Sequence, residues 1–309
     1  MPVQEKGLND LRKKYGAEGV DAGMRLSPHD FAEMIGWRDE LDQHYTKLWL
    51  DYTYGGLYKR GILSDRARLL VAVGQCIALG NMEFLESNIR SALAHASPRE
   101  VLEVILQSGT YLGMPNMVPA ARTFRRVIEE LGRLDEITAT QPPIEGDTQG
   151  TIEEERPTWS GVSDERFPSR EEMMRKYGWR GISCGLRTQP THHAEAVERL
   201  DKIDQNFLNL WLKLIYEGLY RRGVLDDKTR VLCIIGICTV LDELPQNYNH
   251  QRNALMLGVS PREVLEVLLH STFFCGMPRS LRGVGVLERI LGEQNRMSEL
   301  TETQLPLPA

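Results

Sequence analysis

The sequence repeats itself. LDQHYTKLWLDYTYGGLYKRGIL at 41–63 returns as IDQNFLNLWLKLIYEGLYRRGVL at 203–225, and RKKYG at 12–16 returns as MRKYG at 174–178. Tyr15 pairs with Tyr177, Arg25 with Arg187, Asp42 with Asp204, Trp49 with Trp211, Arg60 with Arg222 and Asn88 with His250, each pair 162 positions apart. Gly258 is then one extra residue, so Ser97 pairs with Ser260, and the octet SPREVLEV is identical in both places. This period is far longer than the roughly 20–50 residues of a solenoid unit, so the chain reads as a duplicated domain. The first copy with its N-terminal arm is expected over 1–135 and the second over 166–309. The segment 136–165 is rich in Pro, Gly, Thr and acid; it cannot build a core and reads as a linker.

Within each copy the signals are helical. Leu69, Leu70, Val73, Cys76 and Ile77 recur on one face of a helix. Ser97-Pro98-Arg99-Glu100 and Ser260-Pro261-Arg262-Glu263 each combine a serine cap, a proline at the first helical position and a glutamate that closes a capping box. Gly113 and Pro115, then Gly276 and Pro278, break the helices that follow. No segment shows sustained alternation with a period of two. The expectation is an all-α fold made of two tandem, homologous helical bundles.

Composition narrows the function classes. A net charge of −6 argues against a nucleic-acid partner, which needs clustered Lys and Arg. No apolar run approaches the roughly 20 residues of a membrane span, and the N-terminus lacks the apolar stretch of a signal peptide. Five cysteines at non-framework spacings read as reduced thiols of a cytoplasmic protein. Cys76 and Cys238 fall on the apolar helix faces. Cys233 and Cys238 are spaced off a shared helix face, so no metal site is implied. Neither a ligand cluster nor a glycine-rich phosphate loop is visible, and no cofactor is expected.

The run from GLYRRGVLDDKTRVL through YNHQRNALMLGVSPREVLEVLL to FFCGMP resembles the carboxymuconolactone decarboxylase family. The matching features are Asp226 and Arg230 at the start of a core helix, His250, the segment Gly258–Val267, and the Phe274, Gly276, Pro278 turn. The first copy fits the same frame with Arg68, Asn88, Ser97–Val104 and Tyr111–Pro115. The resemblance covers about 41–132 and 203–292, and the arms near 11–40 and 173–202 lie outside it. It implies two chemical branches. The redox branch carries C-x-x-C-x-x-x-H, but here those cysteine positions hold Glu243 and Gln246, or Asn81 and Phe84, and its glutamate position holds Leu69 or Val231. The decarboxylase branch uses no cofactor and pairs a glutamate with the histidine. Its glutamate position holds Gly56 or Gly218, with Glu217 one residue away. Single-domain relatives pair and form rings, which implies that three duplicated chains close a six-domain ring.

Cofactor-free decarboxylation needs a cation for the substrate carboxylate, an apolar wall and a proton donor. The second copy offers Arg222, Arg230 and Arg252, the aromatics Tyr220 and Phe274, and His250 as the catalytic group. The first offers Arg60, Arg68, Tyr58 and Tyr111, with Asn88 as a hydrogen-bonding group that cannot relay a proton. The expected partner is a small carboxylated or lactone-type ring metabolite. The alternatives are a thiol-independent redox enzyme and a non-catalytic binding or scaffold protein. Several residues have structural readings as well. Arg68 and Arg230 suit salt bridges to Asp65 and Asp226, the aromatic pairs suit a core, and His192 and His193 suit opposite, solvated sides of a helix. The arms read equally as packing elements or as lids over the neighbouring copy's site.

Overall fold

The computed structural model describes residues 5–142 and 167–306, so 143–165 of the expected linker lies outside the described residues. Among the described residues there is helix and no strand. The first half runs α1 (Glu5–Tyr15), α2 (Ala17–Leu26), α3 (Phe31–Leu41), α4 (Gln43–Tyr52), α5 (Asp65–Leu79), α6 (Met82–Ala92), α7 (Pro98–Leu112), α8 (Met114–Glu130) and α9 (Leu134–Thr138). The second half repeats the order as α10 (Arg170–Tyr177), α11 (Trp179–Thr188), α12 (His193–Ile203), α13 (Gln205–Trp211), α14 (Asp227–Leu241), α15 (Leu244–Met256), α16 (Pro261–His270), α17 (Thr272–Glu293) and α18 (Ser298–Thr301). A wide π-turn follows α4 (Thr53–Leu57) and α13 (Leu212–Leu219), and each runs into a short 3-10 turn. π-turns of this kind gather at functional sites. Here both contribute side chains to cavities.

Local chemistry sets the boundaries. Ser64 and Asp226 cap α5 and α14, and Asp42 and Asp204 cap α4 and α13 through their side chains. Both capping boxes form: each serine takes the third backbone N–H, and Glu100 or Glu263 reaches back to the cap. Gly113 (φ 73°) ends α7 and Gly276 (φ 76°) kinks α17, at a backbone conformation that only glycine adopts cheaply.

The centre of the molecule is the contact between α5 and α14. Both helices are buried almost throughout, as expected for helices apolar on every side. They approach closely at two glycines: a Cβ on Gly74 would sit 3.2 Å from Ile237, and one on Gly236 would sit 2.8 Å from Val71. One continuous apolar cluster runs from Tyr15 through both halves to Leu300, while a smaller one, from Phe167 to Tyr220, packs the second arm against α13 and the turns that follow it. Among the described residues no helix is long and apolar enough to cross a membrane.

The buried arginines correct one expectation. Arg68 does not pair with Asp65, nor Arg230 with Asp226. Each crosses to the opposite half: Arg68 reaches Glu266 at 3.1 Å and Arg230 reaches Glu103 at 3.1 Å, with both glutamates fully buried. Arg60 and Arg222 supply the second cation on the same carboxylates, at 3.0 Å from Glu266 and 3.4 Å from Glu103. Asp65 instead receives Arg25, and Asp226 serves as the α14 cap and sits near Arg66.

Candidate active site and its counterpart

Each half encloses a cavity, about 560 Å³ in the second half and about 550 Å³ in the first. Both volumes fall within the range of small-molecule sites, roughly 300–1,000 Å³. The second-half cavity lies between α12, the π-turn after α13, and α15, and Thr110 and Tyr111 of α7 close it from the opposite half. The first-half cavity is built in the same way, with Thr272, Phe273 and Phe274 arriving from the second half. The arms therefore wall the cavity of their own half rather than covering their neighbour's.

His250 stands on α15 with 2% of its surface exposed, and neither ring nitrogen has a hydrogen-bond partner. Its ring meets Tyr111 edge-on at 5.5 Å and His192 at 5.6 Å. Burial, helped by the neighbouring His192, pushes its pKa down to about 3. The resting side chain is thus a neutral imidazole, one nitrogen a donor and the other an acceptor, neither of them engaged. Tyr220, under which Arg230 lies at 4.4 Å, shares its hydroxyl with that of Tyr111 at 3.3 Å. Burial raises the pKa of both phenols, so both stay protonated donors.

The cation of this cavity is a residue the motif frame did not reach. Arg199, exposed on α12, lines it together with Glu195 and His192. No ion pair holds Arg199 among the described residues. The arginines singled out from the sequence lie elsewhere. Arg222 and Arg230 are held by Glu103, and Arg60 and Arg68 by Glu266, and none of the four lines either of these two cavities. Arg252 lines a neighbouring recess behind His192 and lies over the Tyr248 ring at 5.4 Å.

The aromatics are partly exchanged. Tyr220 and Tyr58 line the cavities of their own halves. Phe274 lines the Asn88 cavity and Tyr111 the His250 cavity, each opposite to the sequence assignment, because the ends of α7 and of the α16–α17 junction cross the α5–α14 contact. Asn88 lines the first-half cavity and gives its amide N–H to the Phe84 carbonyl at 2.8 Å.

The adjacent histidines are not solvated. His192 is mostly buried, with its pKa lowered chiefly by burial. His193 fills the slot left by Gly185, where a Cβ would lie 2.0 Å from its ring, and stacks on Trp211. Phe31, its partner in the duplication, fills the same slot over Gly23. His193 is therefore a packing residue.

The two positions offered for a glutamate have no room. A side chain on Gly218 would start 2.9 Å from the Lys213 carbonyl and one on Gly56 3.0 Å from that of Asp51. Glu217 turns to the arm, accepting from the Gly181 N–H at 3.3 Å. Burial raises the Cys76 thiol and lifts Cys233 and Cys238 to about 12, so these three are not thiolates near neutral pH.

Residues 205–289 match the family model of the carboxymuconolactone decarboxylase family. A 15.0 kDa protein of Paracoccus denitrificans, encoded in the nqo9–nqo10 intergenic region and uncharacterised, is 30% identical over 103 residues, which is 32% of this chain and 74% of that protein. The 4-carboxymuconolactone decarboxylase of Acinetobacter baylyi is 25% identical over 99 residues, again 32% of this chain and 74% of the relative.

Proposed function

Because the chain belongs to the carboxymuconolactone decarboxylase family, we propose that it is a cofactor-independent enzyme acting on a small carboxylated or lactone-type ring compound at the His250 cavity. The reaction is decarboxylation or a related proton transfer. The observation that carries the reading is His250 itself: an imidazole buried in a ligand-sized cavity with both nitrogens unclaimed. Orphaned nitrogens alone do not mark it, since the packing residue His193 has them too; His250 differs in that it lines the cavity, where a ligand can reach it.

The wall supplies the other parts. A substrate carboxylate meets Arg199 and the amides of Gln189, Gln246 and Asn249, while the ring packs on Trp211, Tyr216 and Tyr220. The incoming negative charge raises the pKa of His250, which takes a proton from solvent. Loss of CO2 leaves the C–C bonding pair on the ring as an enolate. The imidazolium returns its proton to that carbon, and Tyr111 and Tyr220 donate to the developing oxyanion. One proton is consumed for each CO2 released.

We read residues 1–135 as a first family copy and 166–309 as the second, with Asn88 marking the half that lacks this proton relay. The exposed apolar stripes Leu41, Tyr45, Leu48, Tyr52 and Ile203, Phe207, Leu210, Leu214 repeat at the same spacing in both halves. They favour a ring of three chains; light scattering that gives the 35.2 kDa single-chain mass would overturn the ring. The unpaired cysteines fit a reducing cytoplasm.

The test is a screen of carboxylated lactones and muconate-like acids for CO2 release. With a substrate in hand, His250→Ala should lose at least about a hundredfold in kcat, the lower range of general acid–base catalysis. Near wild-type turnover in that variant would remove His250 from the mechanism.

A further inference from the structure

The first-half cavity lacks the histidine, yet it is not filled in. It keeps essentially the volume of its counterpart, and its chemistry has changed. In the second half, charged and titratable side chains share the wall: His192, Glu195, Arg199 and His250. Among the described residues lining the first-half cavity, Arg38 is the sole charged side chain and no carboxylate is present. Arg38 also borders a more open recess lined by Asp30, Glu33, Glu83 and Glu86, but among the described residues none of these acids is in ion-pair contact with it.

Arg38 is also held in place. Its guanidinium lies over Trp37 at 4.1 Å and over Trp49 at 4.4 Å, and one N–H goes to the Met34 carbonyl at 2.8 Å. A guanidinium has five N–H donors, so a fork remains for a planar acceptor. Much of the rest of the wall is aromatic, with Trp49, Tyr54, Tyr58, Phe84, Phe273 and Phe274 among neutral aliphatic and hydroxyl side chains. Their edge-to-face contacts, Trp49 to Tyr54 at 5.4 Å and Tyr54 to Tyr58 at 5.2 Å, fix the faces that a flat ring would meet. The duplication does not supply this arginine by inheritance, since Leu200 stands at the position matching Arg38 and Arg199 matches Trp37.

We infer that the first-half cavity is a ligand site in its own right, distinct from the His250 cavity, and that it takes a planar aromatic carboxylate whose anion is bound by Arg38. The charge balance carries the argument. A half-buried cation facing an aromatic cavity with no anion of its own is complementary to a ligand that brings one negative charge and a flat apolar body. With Asn88 in place of histidine no imidazole stands on the wall, and burial pushes the Tyr54 and Tyr58 phenols up, so the bound molecule is held and not turned over.

Benzoate is the probe and benzamide its neutral counterpart, titrated calorimetrically into the full-length chain. Saturable benzoate binding is expected, with benzamide at least tenfold weaker. Arg38→Leu should weaken benzoate roughly tenfold to a hundredfold, the value of a hydrogen-bonded charge contact. Ser87→Trp should abolish the binding event that Arg38→Leu weakens, because the indole fills that cavity while Arg38 is retained. Arg199→Leu, in the other cavity, should leave this binding event in place. The melting temperature of each variant checks that it is folded, and Ser87→Trp decides the matter if Arg38→Leu is not. The inference is overturned by any of four results: no saturable benzoate binding in the millimolar range, benzamide binding as tightly as benzoate, wild-type affinity in folded Arg38→Leu or in Ser87→Trp, or loss of all binding in Arg199→Leu.

Discussion

Glu266→Leu should be among the most destabilising single changes in this chain, and it should cost more than Glu103→Leu. Glu266 is fully buried and accepts Arg68 at 3.1 Å and Arg60 at 3.0 Å. Removing its carboxylate leaves the guanidinium of Arg68 buried with no anion, and breaking a buried pair in this way costs about 3–5 kcal/mol. The remaining partner of Arg68 is a long contact to the Leu57 carbonyl at 3.4 Å. At the related site Arg230 would keep better company. Gln107 accepts from its guanidinium at 2.8 Å and donates to its carbonyl at 3.2 Å. The residue matching Gln107 in the second half is His270, whose ring instead shares a hydrogen bond with the Tyr58 hydroxyl at 2.9 Å. A hydrogen bond to a charged group is worth about 1.5–3 kcal/mol, so Glu103→Leu should be milder than Glu266→Leu by about that amount. Urea unfolding followed by circular dichroism measures both. The double variant Arg68→Met with Glu266→Leu should recover most of the loss, because an apolar pair of similar volume removes the stranded charge. Equal costs at the two glutamates, or a Glu266→Leu variant within about 1 kcal/mol of wild type, would refute the cross-half ion pairs as described.

Four further outcomes are expected. His250 and His193 are both held near pKa 3 against an ordinary value of 6.5, so the unfolded chain binds protons that the folded chain does not. Stability should therefore be constant above about pH 6.5 and fall as pH drops towards 3, by up to about 1.4 kcal/mol per pH unit for each histidine, in urea titrations at stepped pH. His193→Phe, which installs the residue that Phe31 supplies in the first half, should remove one such contribution and two orphaned nitrogens, and so raise the urea midpoint more at pH 5 than at pH 7. Binding of a carboxylate at the His250 cavity should take up as much as one proton near pH 7, read calorimetrically in buffers of different ionisation enthalpy, and none in His250→Ala. Gly236→Ala, whose new methyl would sit 2.8 Å from Val71, should destabilise by about 1–3 kcal/mol and by more than Gly74→Ala, where the contact is 3.2 Å; equal melting temperatures would contradict the closeness of α5 and α14.

Much of the architecture is local and could be read directly. The capping boxes at Ser97 and Ser260, the breaks at Gly113 and Gly276, and the apolar faces of α5 and α14 depend on neighbours within a few residues, and the duplication states each of them twice. His250 and Asn88 are legible for the same reason, because a duplicated frame makes a chemical change between its copies visible. What the sequence could not place is everything that crosses between halves. An arginine that binds a substrate and one that neutralises a buried glutamate are the same residue type. Only the close approach of α5 and α14 consigns Arg68 to Glu266 and Arg230 to Glu103, and delivers Tyr111 to the cavity of His250 and Phe274 to that of Asn88. Arg38 and Arg199 were hidden differently. They sit one residue out of register in the arms, outside the repeated motifs, and become cavity residues only when α3 and α12 fold back as walls. Helix formation is decided by contacts along the chain, whereas the charge and shape of a cavity are decided by which distant segments the packing of the core brings together.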